Sequence, residues 1–214
     1  MNYPVIIFDW DGTLVDSEAH IVACIAYAAK KVGMPALSYD ETKNIIGLGI
    51  VEALQKLYPS INDDQVVAMR EAYKEHFFAK GTSTRDDLFV GVWETLIELK
   101  RRGHRLAVAT GKSRNGLAQS LISTELGEFF EIERCADETK SKPHPLMLIE
   151  IARYFNIHYE NILMVGDTTF DLDMAAAVDM PSVGVSYGVH DVEALKLSNP
   201  IAIIDRFEQL LEWA

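Results

Sequence analysis

Near the start of the chain the apolar run PVIIF (residues 4–8) leads into FDWDGTLVDS (8–17), which sets Asp9 and Asp11 two positions apart. Alternate residues of a strand point to the same side, so the two carboxylates meet where a buried strand ends. Like charges that close repel, and partial burial strengthens the repulsion. The pattern calls for a positive partner at that edge, or for one carboxyl that carries a proton. Three further polar clusters lie after apolar runs: Thr110 with Gly111 after RLAVAT (105–110), Lys142 in TKSKPHP (139–145), and Asp167 with Asp171 after NILMVGD (161–167). Singly, each has an ordinary structural use. DGT is a turn sequence, Thr or Asp often caps the following helix, and Asp171 and Asp173 suit a helix N-terminus.

Together the clusters describe one chemistry. Carboxylates with no His or Cys at matching spacing form an oxygen-only site, which suits Mg²⁺. Lys142, the Thr110 hydroxyl and the backbone amides around Gly12 and Gly111 offer donors to an anion. A divalent cation, a lysine and clustered amides are the parts of a phosphate site. There Asp9 can attack phosphorus as a carboxylate nucleophile, forming an aspartyl-phosphate. Asp11 can protonate the leaving oxygen and later take a proton from the hydrolytic water.

The elements that position these residues follow from hydrophobic pattern. From residue 86 onward, short apolar runs alternate with amphipathic stretches. RLAVAT, NILMVGD and SVGVS (182–186) read as buried strands, with IAII (201–204) and FEIERCAD (130–137) as weaker candidates. Helices are predicted over 92–103, 114–127, 144–156 and 170–179, with Gly103 and Gly127 as helix stops. This alternation implies a parallel sheet covered by helices on both faces. In open α/β sheets, ligands bind outside the carboxyl ends of the strands, where the polar clusters fall. Residues 17–84 break the rhythm. SEAHIVACIAYAAKKVG (17–33), YDETKNIIGLGIVEALQKLY (39–58) and NDDQVVAMREAYKEHFFAKG (62–81) are helical throughout, with Ser17 as a candidate N-cap. The fold class expected is therefore a Rossmann-like α/β core, residues 1–16 and 85–214, with an inserted α-helical domain at 17–84.

Bulk properties narrow the function classes. The chain has 214 residues, 49% hydrophobic and 24% charged, as in ordinary soluble globular proteins. Its net charge of −12 disfavours non-specific binding to nucleic acid or anionic membranes. No apolar run is long enough to span a bilayer and no signal peptide precedes residue 4. Cys24 and Cys135 match no metal spacing, so a cytoplasmic protein with reduced thiols is expected.

DWDGT, ATGKS, SKPHP and GDTTFD, in that order along the chain, resemble the four motifs of the haloacid dehalogenase superfamily of phosphohydrolases. The helical insertion after the first motif is similar to the cap of its phosphoglycolate-phosphatase-like branch. The resemblance spans essentially the whole chain. It implies Asp9 as nucleophile and Asp11 as general acid/base. Asp9, the Asp11 main-chain carbonyl and Asp167 become Mg²⁺ ligands, and Asp171 supports the metal or its waters. Gly12, Thr110, Gly111 and Lys142 become the binding residues for the phosphoryl group, with Lys142 also steadying the nucleophile's charge. The implied substrate is a small phosphorylated metabolite. Two departures are few in consequence: Trp10 replaces a smaller aliphatic residue and should point away from the site, and Val90 stands where proline is frequent.

Within the same chemistry the alternative is a sugar phosphotransferase similar to β-phosphoglucomutase. A carbon–halogen hydrolase needs no acid for its leaving group, so Asp11 argues against one. A catalytically silent binding protein need not retain nucleophile, proton carrier, lysine and metal acids together. Oligomeric state has no signature in the sequence. The segment GLG (47–49) is expected to open a helix, its glycines serving either amides that face an anionic substrate group or close helix packing. Lys112, Ser113, Arg114, His144, Tyr187 and His190 are weaker candidates for the pocket.

Overall fold

Val5 and Ile7 of β1 (Val5–Phe8) join one core cluster, and Ile6 and Phe8 join another. A strand buried on both faces belongs inside a parallel sheet with a layer on each side. The computed structural model, which describes residues 3–79, 81 and 83–214, has that arrangement. After β1 come four helices: α1 (Glu18–Val32), α2 (Tyr39–Lys43), α3 (Ile50–Leu57) and α4 (Asp63–Ala79). The remainder alternates as expected: α5 (Val92–Arg101), β2 (Arg105–Thr110), α6 (Arg114–Ser123), β3 (Phe130–Cys135), α7 (Leu146–Phe155), β4 (Ile162–Gly166), α8 (Thr169–Ala176), β5 (Ser182–Val185), α9 (Val192–Leu197) and β6 (Ala202–Ile204).

The strands form one sheet in the order β3–β2–β1–β4–β5–β6, every neighbouring pair parallel. Residues of α5 and α6 pack on one face and residues of α7 and α8 on the other. The chain winds outward from β1 in two directions, so the sheet changes direction at β1, and crevices at such points take ligands at the carboxyl ends. The acids follow the two central strands there: Asp9 after β1 and Asp167 after β4.

Helices α1, α3 and α4 build a core of their own around Ile25, Ala28, Leu54 and Met69. The two stretches that join this block to the sheet run side by side. Asp16 N donates to Asp87 O at 2.8 Å and Phe89 N to Leu14 O at 3.1 Å. Among the described residues no helix is long and apolar enough to cross a membrane.

The helix pattern agrees with expectation at GLG and differs from it in two other places. Residues 39–58 form α2 and α3, the second opening at GLG with Gly49 as its N-cap, and in the turn between them Gly47 takes φ +100°. That backbone region is open to glycine and strained for other residues. Gly103 does sit beyond α5 in a left-handed conformation, but Gly127 does not stop α6. That helix ends at Ser123, where Thr124 Oγ1 donates to Ser120 O at 2.6 Å and Glu125 takes φ +62°. Gly127 instead opens a short 3₁₀ turn. Helix α9 was not expected; its signal is Asp191, whose carboxylate accepts from Ala194 N at 2.7 Å as an N-cap. Lys80, within the helix expected over 62–81, lies outside the described residues.

Candidate active site

Asp9 is fixed just beyond β1 by its own amide, which donates to Val165 O of β4 at 2.9 Å. This brings its carboxylate to those of Asp167 and Asp171; one oxygen of each lies within 4.8 Å of the others, and all three residues are fully buried. Lys142 comes in from the loop after β3. Its Nζ stands 2.5 Å from Asp9 Oδ1 and 2.6 Å from Asp171 Oδ1, with the side chain wholly buried.

With all three acids ionised, one ammonium leaves this buried group two negative charges in excess. The electrostatics register that excess. Burial first, and then the charge of Asp171, push Asp9 well above the ordinary carboxylate range. Burial and Asp171 likewise push Asp167 up to about 7. Burial acts to lower Lys142, but Asp171 and Asp9 outweigh it and hold the lysine above its ordinary value. Asp9 Oδ2 is buried without a hydrogen-bond partner. Hard oxygen donors, a bare carboxylate oxygen and a surplus of two charges fit a divalent cation.

Asp167 is held from three sides. Thr13 Oγ1 donates to Oδ1 at 2.9 Å and Val189 N to Oδ2 at 2.8 Å. Gly12, at φ +83°, and Gly188 complete the cradle, since a Cβ on either would stand 2.2 Å from an atom of the Asp167 side chain. Gly12→Ala is expected to cost at least about 1–2 kcal/mol from the left-handed backbone alone and to displace Asp167. Urea denaturation and metal-dependent turnover should both fall; an unchanged denaturation midpoint would contradict this packing. The Gly12 amide donates to Val15 O at 2.9 Å, so in this structure it is spent on a protein partner, and the glycine makes room for a carboxylate.

Asp171 fulfils both readings of its position. Oδ2 accepts from Thr168 N at 3.2 Å and Thr168 Oγ1 at 2.7 Å, closing a capping box at the start of α8, while Oδ1 faces Lys142. Asp173 instead bonds Ser198 Oγ and stays out of the site.

Asp11 has separate partners. Its Oδ1 accepts from Ser17 Oγ at 2.5 Å and pairs with Lys112 Nζ at 2.9 Å. The two acids of DWD are therefore reconciled by a lysine each, not by one shared cation alone. The Asp11 carboxylate lies outside the three-acid cluster, so only its main-chain carbonyl is left as a candidate metal ligand. Ser17 makes no side-chain cap on α1; its hydroxyl is turned to Asp11 instead. Lys112, read from sequence as equally suited to a solvated helix start, is buried, and its Nζ lies 4.9 Å from the centre of the Phe77 ring of α4.

Thr110 ends β2 fully buried, its Oγ1 accepting from Lys112 N at 3.2 Å. Gly111 lets the helical block approach, because a Cβ there would meet the Gly47 and Leu48 carbonyl oxygens at 2.5 Å. Gly49 N donates to Ser141 Oγ at 2.8 Å, and Leu48 N to Ile45 O at 3.1 Å. The GLG segment thus seats the block on the core, and those two amides are spent on protein partners. Ser141→Ala removes this tie and is expected to raise KM severalfold more than it changes kcat; a pure kcat effect would contradict a seating role.

Of the weaker candidates, Lys112 and Ser113 line a cavity together with Asp11, Arg114 pairs with Glu133 and Glu138, and the remaining three fall outside. Trp10 points away, its Nε1 donating to Ser120 Oγ at 3.0 Å. Tyr187 donates to Thr13 O at 3.0 Å, His190 Nδ1 accepts from Thr169 N at 3.0 Å, and His144 Nδ1 accepts from Leu146 N at 3.2 Å. Each supports a loop or a helix start.

A parallel sheet with acids after its two central strands, a buried lysine from the next loop and a helical block over the edge define a hydrolase of the α/β class. The haloacid dehalogenase-like hydrolase model matches residues 6–185. A protein of Dickeya dadantii (strain 3937) named probable phosphatase IndB is 34% identical over 211 residues, covering 97% of this chain and 92% of its own. A phosphoglycolate phosphatase of Pectobacterium atrosepticum is 30% identical, covering 95% and 89%. A crystal structure from Haemophilus somnus, described as a predicted phosphoglycolate phosphatase, superposes with a TM-score of 0.88 at 25% identity, covering 100% and 98%. The chain belongs to the haloacid dehalogenase-like hydrolase family.

Proposed function

We propose that the protein is a Mg²⁺-dependent phosphomonoesterase acting on a small phosphorylated acid, the class to which phosphoglycolate belongs. The observation that carries this reading is the buried cluster of Asp9, Asp167 and Asp171 against the single charge of Lys142. Phosphatase names among the relatives support it.

Asp9 is the nucleophile. Lys142, 2.5 Å from its Oδ1, opposes the upward push of burial and Asp171 on the carboxylate and faces the incoming phosphoryl oxygens. Thr110 and the amide of Gly111 offer that group further donors. Asp9, Asp167 and the Asp11 carbonyl would hold Mg²⁺, beside Asp171; the ion supplies charge neutralisation for phosphoryl oxygens. Asp11 protonates the departing oxygen and then activates the water that frees Asp9. Lys112 and Ser17 orient its carboxylate for both proton transfers. Residues 17–84 act as a cap that closes over the leaving group and excludes water, hinging at the paired stretches near Val15 and Leu88.

Phosphate release from p-nitrophenyl phosphate, measured with chelator and then with excess Mg²⁺, tests the reading. Activity is expected only with the metal, and full turnover in chelator would contradict it. Asp11→Asn is expected to harm alkyl phosphates by about 10²-fold or more and p-nitrophenyl phosphate much less, because nitrophenolate leaves without a proton. Equal losses on both would reduce Asp11 to a structural residue.

A further inference from the structure

Between the helical block and the core lies a cavity of about 80 Å³ that Asp11 lines. At roughly 10–15 Å³ for each water-sized occupant, it has room for a compact organic group. In the phosphatase reading, on which this inference rests, the cavity beside the proton carrier receives the leaving group.

Its walls are mainly hydrocarbon, from Ile21, Ile25, Ile46, Ile50 and Phe77. Such walls leave a sugar's hydroxyls unpaired, at a cost for each. The charged groups on the lining are Asp11, Arg70, Lys74 and Lys112, a cationic surplus. Lys112 is committed to Asp11, and Lys74 to Glu71 Oε1 at 3.1 Å. Ser113 Oγ accepts from Gly116 N at 3.2 Å as a helix cap, which leaves Arg70 and Tyr73. The Arg70 side chain is 39% exposed and pairs with the same Glu71 Oε1 at 3.4 Å, and its Nε is buried without a hydrogen bond. The Tyr73 hydroxyl has no hydrogen-bond partner among the described residues.

Arg70, Tyr73 and Phe77 share one face of α4, at spacings of three and four residues. Phe77 stands at the reactive end, its ring under Lys112 Nζ. At 1.5 Å per residue, Tyr73 is about 6 Å and Arg70 about 10 Å back along the helix.

We infer that the leaving group is a linear or flat apolar skeleton of about four to six carbons whose far end is a carboxylate, read by Arg70 and Tyr73. Phosphoglycolate is then too short and a sugar phosphate too polar.

The test compares kcat/KM with Mg²⁺ for 6-phosphooxyhexanoate, hexyl phosphate, phosphoglycolate and glucose 6-phosphate, with p-nitrophenyl phosphate as the control for phosphatase chemistry. The hexanoate is expected to lead each of the other three metabolite-like esters by about tenfold or more, the scale of a charge-assisted hydrogen bond or a filled apolar site. In Arg70→Gln, the ratio of hexanoate to hexyl phosphate is expected to collapse towards one. Tyr73→Phe, which removes a single hydroxyl, should lower the same ratio severalfold and serves if Arg70→Gln does not fold. A lead for phosphoglycolate or glucose 6-phosphate, or a ratio unmoved by both variants, overturns the inference while p-nitrophenyl phosphate hydrolysis leaves the phosphatase reading standing. No hydrolysis of any ester overturns both.

Discussion

Asp9→Asn is expected to bring phosphate release to the limit of detection while leaving the fold and the helical block in place. Uncatalysed phosphate-monoester hydrolysis is slow enough that enzymes supply up to ~10²¹-fold acceleration, so loss of the covalent route leaves nothing comparable behind. The substitution is nearly isosteric and removes one of three mutually repelling buried charges. Stability without metal is therefore expected to stay level or rise. Phosphate release near the wild-type rate would reject Asp9 as the nucleophile, and a collapsed circular dichroism spectrum would show that its role is structural.

Lys142→Met carries the second large effect. Among the described residues Lys142 is the one cation within ion-pair distance of Asp9 and Asp171, and its side chain is wholly buried. Removing one partner from a buried ion pair typically costs about 3–5 kcal/mol, because the remaining charges stay unpaired. Loss of a preorganised donor to the phosphoryl oxygens costs about 10²–10³ in turnover. The two losses respond differently to metal. Added Mg²⁺ should recover much of the melting temperature by neutralising the acids, yet restore little activity. Recovery of both together would mean that Lys142 is only a counter-charge.

How far these sites could be read from the chain depended on whether a residue's role is local or shared. Asp9, Lys142 and Asp167 follow strands at the edge where α/β sheets bind ligands, so strand pattern alone located them. Asp171 could be read in two ways from sequence, and each carboxylate oxygen takes one of them. Gly12 was legible as special but not for its reason, because the carboxylate it accommodates lies far along the chain at Asp167. The pairing of Lys112 with Asp11 depends on two strand ends meeting in space, which no local spacing records. The helix start at GLG was legible, but which use its glycines serve was not, because the core surface they sit against is distant in sequence. Gly127 looked like a stop, but side-chain bonding at Thr124 had already ended the helix.

The central claim is a covalent route through Asp9, and trapping tests it directly. Wild-type protein mixed with radiolabelled phosphomonoester and Mg²⁺, quenched in acid within the first turnover, should retain label bound to protein. Borohydride reduces an acyl phosphate to the alcohol, so peptide mass spectrometry after reduction should find homoserine at position 9 and unmodified aspartate at position 11. Label at Asp11, or turnover with no covalently held label at any quench time, would contradict the account.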